Sequence, residues 1–191
     1  EQTHKPLAEL MRPQEFSEFL GHQSVVGVQT PLMRSIKETG RLPNLILWGP
    51  PGTGKTTFAL LLSSLVESEF ITVNAVDTGA KKLREIGQAA RERRMLFQKS
   101  TVLFVDEIHR FNKAQQDVLL PFTERGDLSL VGATTENPSY ELNSALLSRS
   151  RVLVFEKHKA EDLRILLNST FEKKGLEKTK LLIEKSENAI L

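Results

Sequence analysis

Residues 49–56, Gly-Pro-Pro-Gly-Thr-Gly-Lys-Thr, follow the spacing G-x-x-x-x-G-K-[ST]. Glycines so placed let the main chain wrap an anion with its N–H groups pointing inward, and a helix starting at the lysine adds the positive end of its dipole. Gly49, Pro50, Pro51, Gly52, Thr53, Gly54, Lys55, Thr56 and Thr57 are therefore the candidate site for a nucleoside triphosphate such as ATP. Lys55 would neutralise the β- and γ-phosphate oxygens, and the Thr56 hydroxyl would ligate Mg²⁺. Further along, the apolar run Val102-Leu103-Phe104-Val105 closes on two carboxylates, Asp106 and Glu107. Alone, such a pair is an ordinary solvated turn. Downstream of a phosphate loop, Asp106 becomes the metal-side carboxylate and Glu107 the base that orients and deprotonates the attacking water.

Other residues extend this set. Leu130 to Asn137 ends a strand in polar groups; Thr135 is the first choice to reach the γ-phosphate or its water and Thr134 the alternate, since successive strand side chains face opposite ways. Arg149, within Ser148-Arg149-Ser150-Arg151, reads either as a surface charge or as a group presented to a phosphate in a neighbouring subunit. His109 reads as a packing residue, as an orienter of a carboxylate, or as a subunit contact; His22, after Gly21, reads as a neighbour of the nucleotide base. Between Thr78 and Lys99 stand Lys81, Lys82, Arg84, Arg91, Arg93, Arg94 and Lys99 against Glu85 and Glu92 alone. Thr78 and Gly79 open that helix, so Thr78, Gly79, Lys81, Lys82 and Arg84 form the candidate contact to a nucleic-acid backbone, without base specificity. A solvated face or a subunit contact fits the same charges.

The positioning elements follow from the apolar pattern. Short buried runs at 45–48, 70–74, 101–105, 128–133 and 152–155 read as strands, and helical spacing appears over 29–39, 56–66, 79–98, 112–122 and 143–147. The 79–98 helix takes its period from Leu83, Ile86, Ala90 and Leu96 or Phe97, and Trp48 reads as a buried strand end. Strand-helix alternation predicts a three-layer α/β domain with a parallel five-stranded sheet covered on both faces. Residues 1–28 read as an arm of the nucleotide core anchored by Phe16, Phe19 and Leu20, 29–155 as the core, and 156–191 as the start of a helical lid. In that last part Leu163, Leu166, Leu167 and Phe171 mark an amphipathic helix over 161–173, and a second pattern begins at Lys180.

Composition narrows the chemistry. The 191 residues contain 26 Lys+Arg, 24 Asp+Glu, four His and no Cys. A disulfide scaffold, a thiol nucleophile and a Cys-ligated metal are excluded, and the histidines are too scattered for a His-only zinc motif. No apolar run approaches the roughly 20 residues of a membrane-spanning helix, so no membrane partner is expected. The acidic start at Glu1 and the uncapped pattern at the end read as a chain cut from a longer one.

Taken together, Gly-Pro-Pro-Gly-Thr-Gly-Lys-Thr, the Asp106-Glu107 strand, Gly-Ala-Thr-Thr at 132–135 and Leu-Leu-Ser-Arg at 146–149 resemble a clamp-loader-type AAA+ ATPase, a P-loop NTPase. The stretches 42–49, 106–117, 132–140 and 142–149, above all Ile-His-Arg-Phe-Asn-Lys and Thr-Glu-Asn-Pro-Ser, are similar to the RarA (MgsA) family, which includes the Werner-helicase-interacting ATPase. The resemblance implies Walker A roles for Lys55 and Thr56, Walker B roles for Asp106 and Glu107, sensor 1 at Thr135, and Arg149 as the finger acting on the next subunit's ATP. Arg12-Pro13 through Gly21-His22 would line the adenine side, where members commonly read Gly-Gln in place of Gly-His. It further implies DNA-stimulated ATPase activity in replication-fork maintenance and recombination and homo-oligomers, often tetramers. Implied partners are single-stranded or forked DNA, single-strand-binding protein and the replication machinery. Location would be the cytoplasm and nucleoid of a bacterium or a eukaryotic nucleus. A clamp-loader subunit, a branch-migration motor and a nucleotide-gated scaffold with little catalysis are the competing readings.

Overall fold

The computed structural model describes residues 12–22, 27 and 29–174; the pattern beginning at Lys180 lies outside them. Two compact units divide these residues: 22–157 form one, and 12–21 with 158–174 the other.

The larger unit opens with helix α1 (Pro31–Thr39). The Thr30 side chain accepts from Met33 N–H, Pro31 needs no donor in the first turn, and Gly40 stops the helix at φ +63°. Strands β1 (Asn44–Trp48), β2 (Glu69–Asn74), β3 (Thr101–Asp106), β4 (Ser129–Thr134) and β5 (Ser150–Val154) follow. They build one parallel sheet in the order β2-β3-β4-β1-β5. Between them run α2 (Lys55–Leu65), α3 (Ala80–Phe97), α4 (Lys113–Glu124), the short α5 (Pro138–Glu141) and α6 (Ser144–Ser148). β2 and β3, and β3 and β4, are neighbours joined through a helix, while β1 lies between β4 and β5, and helices flank the sheet in the three-layer α/β arrangement.

The core sits around the middle strands. Leu45, Ile46 and Leu47 of β1, Leu103 and Phe104 of β3 and Leu130 and Val131 of β4 are fully buried. One apolar cluster joins Ile46, Leu103 and Leu130 to Leu83 and Ala90 of α3, Leu119 and Phe122 of α4 and Leu146 of α6. α3 and α4 lie so close that a Cβ at Gly87 would overlap the Phe122 ring.

Three expectations need correction. Leu96 and Phe97 do not continue the core face of α3; they are 72% and 73% exposed, because the helix outruns the elements that cover Leu83, Ile86 and Ala90. β5 is an edge strand, with Arg151, Val152 and Val154 exposed, so the sheet is not covered throughout, and Trp48 is only half-buried. The four-residue α5 was not expected at all.

In the smaller unit a 3₁₀ turn (Phe16–Glu18) precedes the buried Phe19, and Gly21 at φ +76° passes close to His158. Helix α7 (Ala160–Lys174) begins where Lys159 N–H reaches the Asp162 carboxylate. Leu163 of its expected apolar face is exposed; the side chains of Leu167 and Phe171 lie outside the described residues.

Candidate active site

Every helix of the larger unit that follows a strand starts near the carboxyl edge of the sheet, where the loops after β1, β3 and β4 meet. Gly49 donates to the Thr134 carbonyl at 3.1 Å, tying the start of the phosphate loop to the end of β4. A side chain at Gly49 would overlap the Phe155 carbonyl, and Gly52 and Gly54 hold φ +74° and +90°, so the loop's path demands glycine. Gly54 caps α2 without a side-chain acceptor, which leaves the first-turn N–H groups aimed at the loop's concavity.

Lys55 stands at the first position of α2. Its Nζ donates to the Gly49 and Pro50 carbonyls, both at 2.7 Å, and Thr53 Oγ1 donates to Pro50 O at 2.9 Å. Burial pushes the Lys55 ammonium below the ordinary lysine range, while the charges of Asp106 and Glu107 pull it back up. The lysine loop and the acidic strand end, far apart in sequence, thus share one electrostatic site. The Thr56 hydroxyl and the Asp106 carboxylate are hard oxygen donors. They suit Mg²⁺, which takes one or two protein oxygens and completes its shell with phosphate and water.

After Asp106 the backbone turns sharply. Glu107 adopts φ 55°, ψ 43°, a left-handed conformation rarely held by a non-glycine residue, with its N–H on Asp106 Oδ1 at 3.2 Å. The following 3₁₀ turn (Ile108–Arg110) brings the ring of His109 back under Glu107: Nε2 lies 3.2 Å from Glu107 Oε2, and Nδ1 lies 3.0 Å from Thr134 Oγ1. The His109 ring is both largely buried, as the packing reading expects, and in contact with the Glu107 carboxylate. Thr134 is 1% exposed, and its hydroxyl also meets the main chain of Glu136. Thr135, just past the strand, is half-buried and makes no hydrogen bond to another described residue.

Three expected groups stand apart from this cluster. Arg149 precedes β5, whose Ser150 pairs with Asn44 at the start of β1, so it sits at the opposite edge of the sheet from Lys55. There it meets Glu124 Oε1 at 3.0 Å and the Ala145 carbonyl at 3.0 Å. His22 packs on the Phe155 ring, 4.7 Å between centroids, and its Nδ1 faces Glu156 N–H. In the basic set, Lys81, Lys82 and Arg84 are exposed. The Thr78 side chain is buried, and its carbonyl is held by Gln115 Nε2 at 2.8 Å. Gly79 is exposed there, and α3 begins without a side-chain cap. Arg93 and Arg94 at the far end are engaged with Thr101 and Asp127.

The loop, the acidic strand end and the sheet order have a counterpart among known proteins. Residues 45–158, more than half of the chain, match the model of the "ATPase family associated with various cellular activities (AAA)". The chain belongs to the AAA ATPase family. Within that family it is similar to proteins named replication-associated recombination protein A. It is 46% identical to the replication-associated recombination protein A of Escherichia coli over 90% of this chain and 38% of that one. It is also 48% identical to the ATPase WRNIP1 of Dictyostelium discoideum, over 87% of this chain and 19% of that one. The chain therefore spans less than half the length of these relatives. Among solved AAA-like structures, the Holliday junction branch migration motor RuvB of Thermotoga maritima superimposes with TM-score 0.70 at 28% identity. That match covers 87% of this chain and 55% of that one. Among the described residues no helix is long and apolar enough to cross a membrane.

Proposed function

We propose that this chain is the ATP-binding and ATP-hydrolysing switch of a replication-fork maintenance and recombination factor. The carrying observation is the convergence of Lys55, Asp106 and Glu107 at the mouth of one phosphate loop. In this reading residues 49–57 cradle the triphosphate, and Lys55 exchanges the Gly49 and Pro50 carbonyls for β- and γ-phosphate oxygens. Thr56 and Asp106 would hold Mg²⁺, which when bound neutralises charge on those oxygens. Glu107 orients a water in line with the γ-phosphorus and takes its proton as the bond to the β,γ-bridging oxygen breaks, releasing ADP and phosphate. Thr135, past the end of β4, supplies a hydroxyl toward the γ-phosphate.

Arg149 completes the site from a neighbouring subunit. β1 runs about 13 Å from Asn44 to Trp48 at the usual rise per residue, so an arginine beside its start does not serve the loop at its end. This makes assembly a condition of turnover and fits a homo-oligomer. Gly79, Lys81, Lys82 and Arg84 supply a salt-sensitive contact to DNA phosphates. The likeness to RuvB favours the branch-migration motor as the second reading.

The test is phosphate release by the full-length protein with and without single-stranded or forked DNA, repeated with Lys55→Ala. DNA-stimulated release that disappears in Lys55→Ala supports the switch; release insensitive to Lys55 contradicts it. Unwinding of a forked duplex over many turnovers would select the motor reading.

A further inference from the structure

We infer that His109 is a positioning residue that links the phosphate loop to Glu107. The inference rests on the reading of Glu107 as the base. A continuous path runs from Lys55 Nζ to Gly49 O (2.7 Å), from Gly49 N to Thr134 O (3.1 Å), from Thr134 Oγ1 to His109 Nδ1 (3.0 Å), and from His109 Nε2 to Glu107 Oε2 (3.2 Å). The His109 side chain is 10% exposed and Thr134 1%, while the Glu107 side chain at the end of the path is 37% exposed.

With an ionised Glu107 and a neutral His109 ring, the path has one direction. An ionised carboxylate only accepts, so the ring nitrogen facing Glu107 carries the hydrogen. In the neutral ring Nδ1 is then an acceptor, and its partner is the single proton of the Thr134 hydroxyl. That hydroxyl already accepts from Glu136 N–H at 3.0 Å and has a second acceptor, the Glu136 carbonyl, at 3.1 Å. One proton faces two acceptors at the end of β4, beside the strand end that anchors Gly49. With Oε2 engaged by His109, the other oxygen of Glu107 is the one that takes a water proton. A carboxylate held in one rotamer by such a partner loses less orientational freedom on reaching the transition state.

His109 thus acts through Glu107 and never on the nucleotide, which gives it a kinetic signature of its own. In the full-length protein His109→Ala should lower kcat by about tenfold or more with the Kd for ATP within about twofold, as expected on losing a group that orients a reacting residue. His109→Gln, whose amide N–H reaches toward the place of Nε2, should recover part of kcat. Thr134→Val should lower kcat while Thr134→Ser retains it, and His109→Ala combined with Thr134→Val should be no slower than His109→Ala alone. Wild-type kcat in His109→Ala and Thr134→Val overturns the inference. So do losses that multiply in the double variant, and so does a fall in kcat matched by a fall in ATP affinity and melting temperature that Gln does not rescue. Glu107→Gln, measured alongside, separates the two levels. If it turns over normally, the base reading fails and the inference with it; if it is inactive while the His109 variants are wild type, only the inference fails.

Discussion

The two edges of the sheet carry opposite electrostatics, and strand direction is the reason. At the carboxyl edge, where β1 and β3 end, α2 and α4 present their N-termini, with Lys55, Asp106, Glu107 and His109 gathered between them. At the amino edge a cavity of about 290 Å³ is lined by Gly40, Val66, Gln98 and Arg125, the residues that cap the C-termini of α1, α2, α3 and α4. Helix N-termini attract anions and C-termini attract cations. Accordingly the amino edge has gathered Arg41, Arg94 and Arg125. The buried Asp127 takes Arg94 at 3.1 Å and Arg125 at 2.8 Å, so arginines there neutralise the fold's own charges. A parallel sheet therefore makes one edge fit for phosphate and the other fit for structural arginines.

Arg149 breaks this pattern. It lies at the amino edge yet pairs, among the described residues, with the half-exposed Glu124 and local acceptors, as would suit a group that changes partners on assembly in the proposed reading. Arg149→Ala should reduce turnover of the assembled protein by about 10³ while leaving ATP affinity intact, the scale on which trans arginines act. Mixing Arg149→Ala with Glu107→Gln subunits should restore part of the activity, since one contributes a working base and the other a working arginine; no restoration in mixed oligomers would place Arg149 among the structural arginines.

Asp127 probes the amino edge from the opposite side. Asp127→Ala should cost about 2 kcal/mol, read from the urea midpoint, because two guanidinium groups lose their shared buried acceptor. ATP affinity should stay unchanged if the edges are independent.

The carboxyl edge makes a pH-dependent contribution. Burial lowers the Lys55 pKa, so the folded chain releases this proton before the unfolded chain does. Below the ordinary value of 10.5, in the alkaline window opened by the shift, this group's contribution to folding stability rises with pH. ATP affinity, which needs the ammonium, should fall over the same window. Lys55→Arg, which keeps its charge, should remove that alkaline fall even where its absolute affinity is lower. The smallest effect is expected at the exposed end of α3, where Leu96→Ser and Phe97→Ser should each change stability by less than about 0.5 kcal/mol.

What the sequence made legible was local. The phosphate loop and the acidic strand end are each set by residues within a few positions of one another. The pairing of His109 with Thr134 joins positions 25 apart through the adjacency of β3 and β4, which no short-range spacing encodes. Leu96 and Phe97 keep the helical period but not the burial, since periodicity cannot tell where the covering elements stop. Thr134 and Thr135 were separable only by parity: the first shares a strand face with Gly132, whose open space is filled by Ile108, and this turns its hydroxyl toward the His109 turn.

In the proposed mechanism Glu107 performs hydrolysis at a site that binds ATP without it. ATP binding and single-turnover phosphate release, measured on the same preparation of full-length Glu107→Gln, test this most directly. The account predicts ATP affinity within about threefold of wild type and release slowed by at least about 10²-fold, the low end of what a positioned base contributes. Release at the wild-type rate would contradict it.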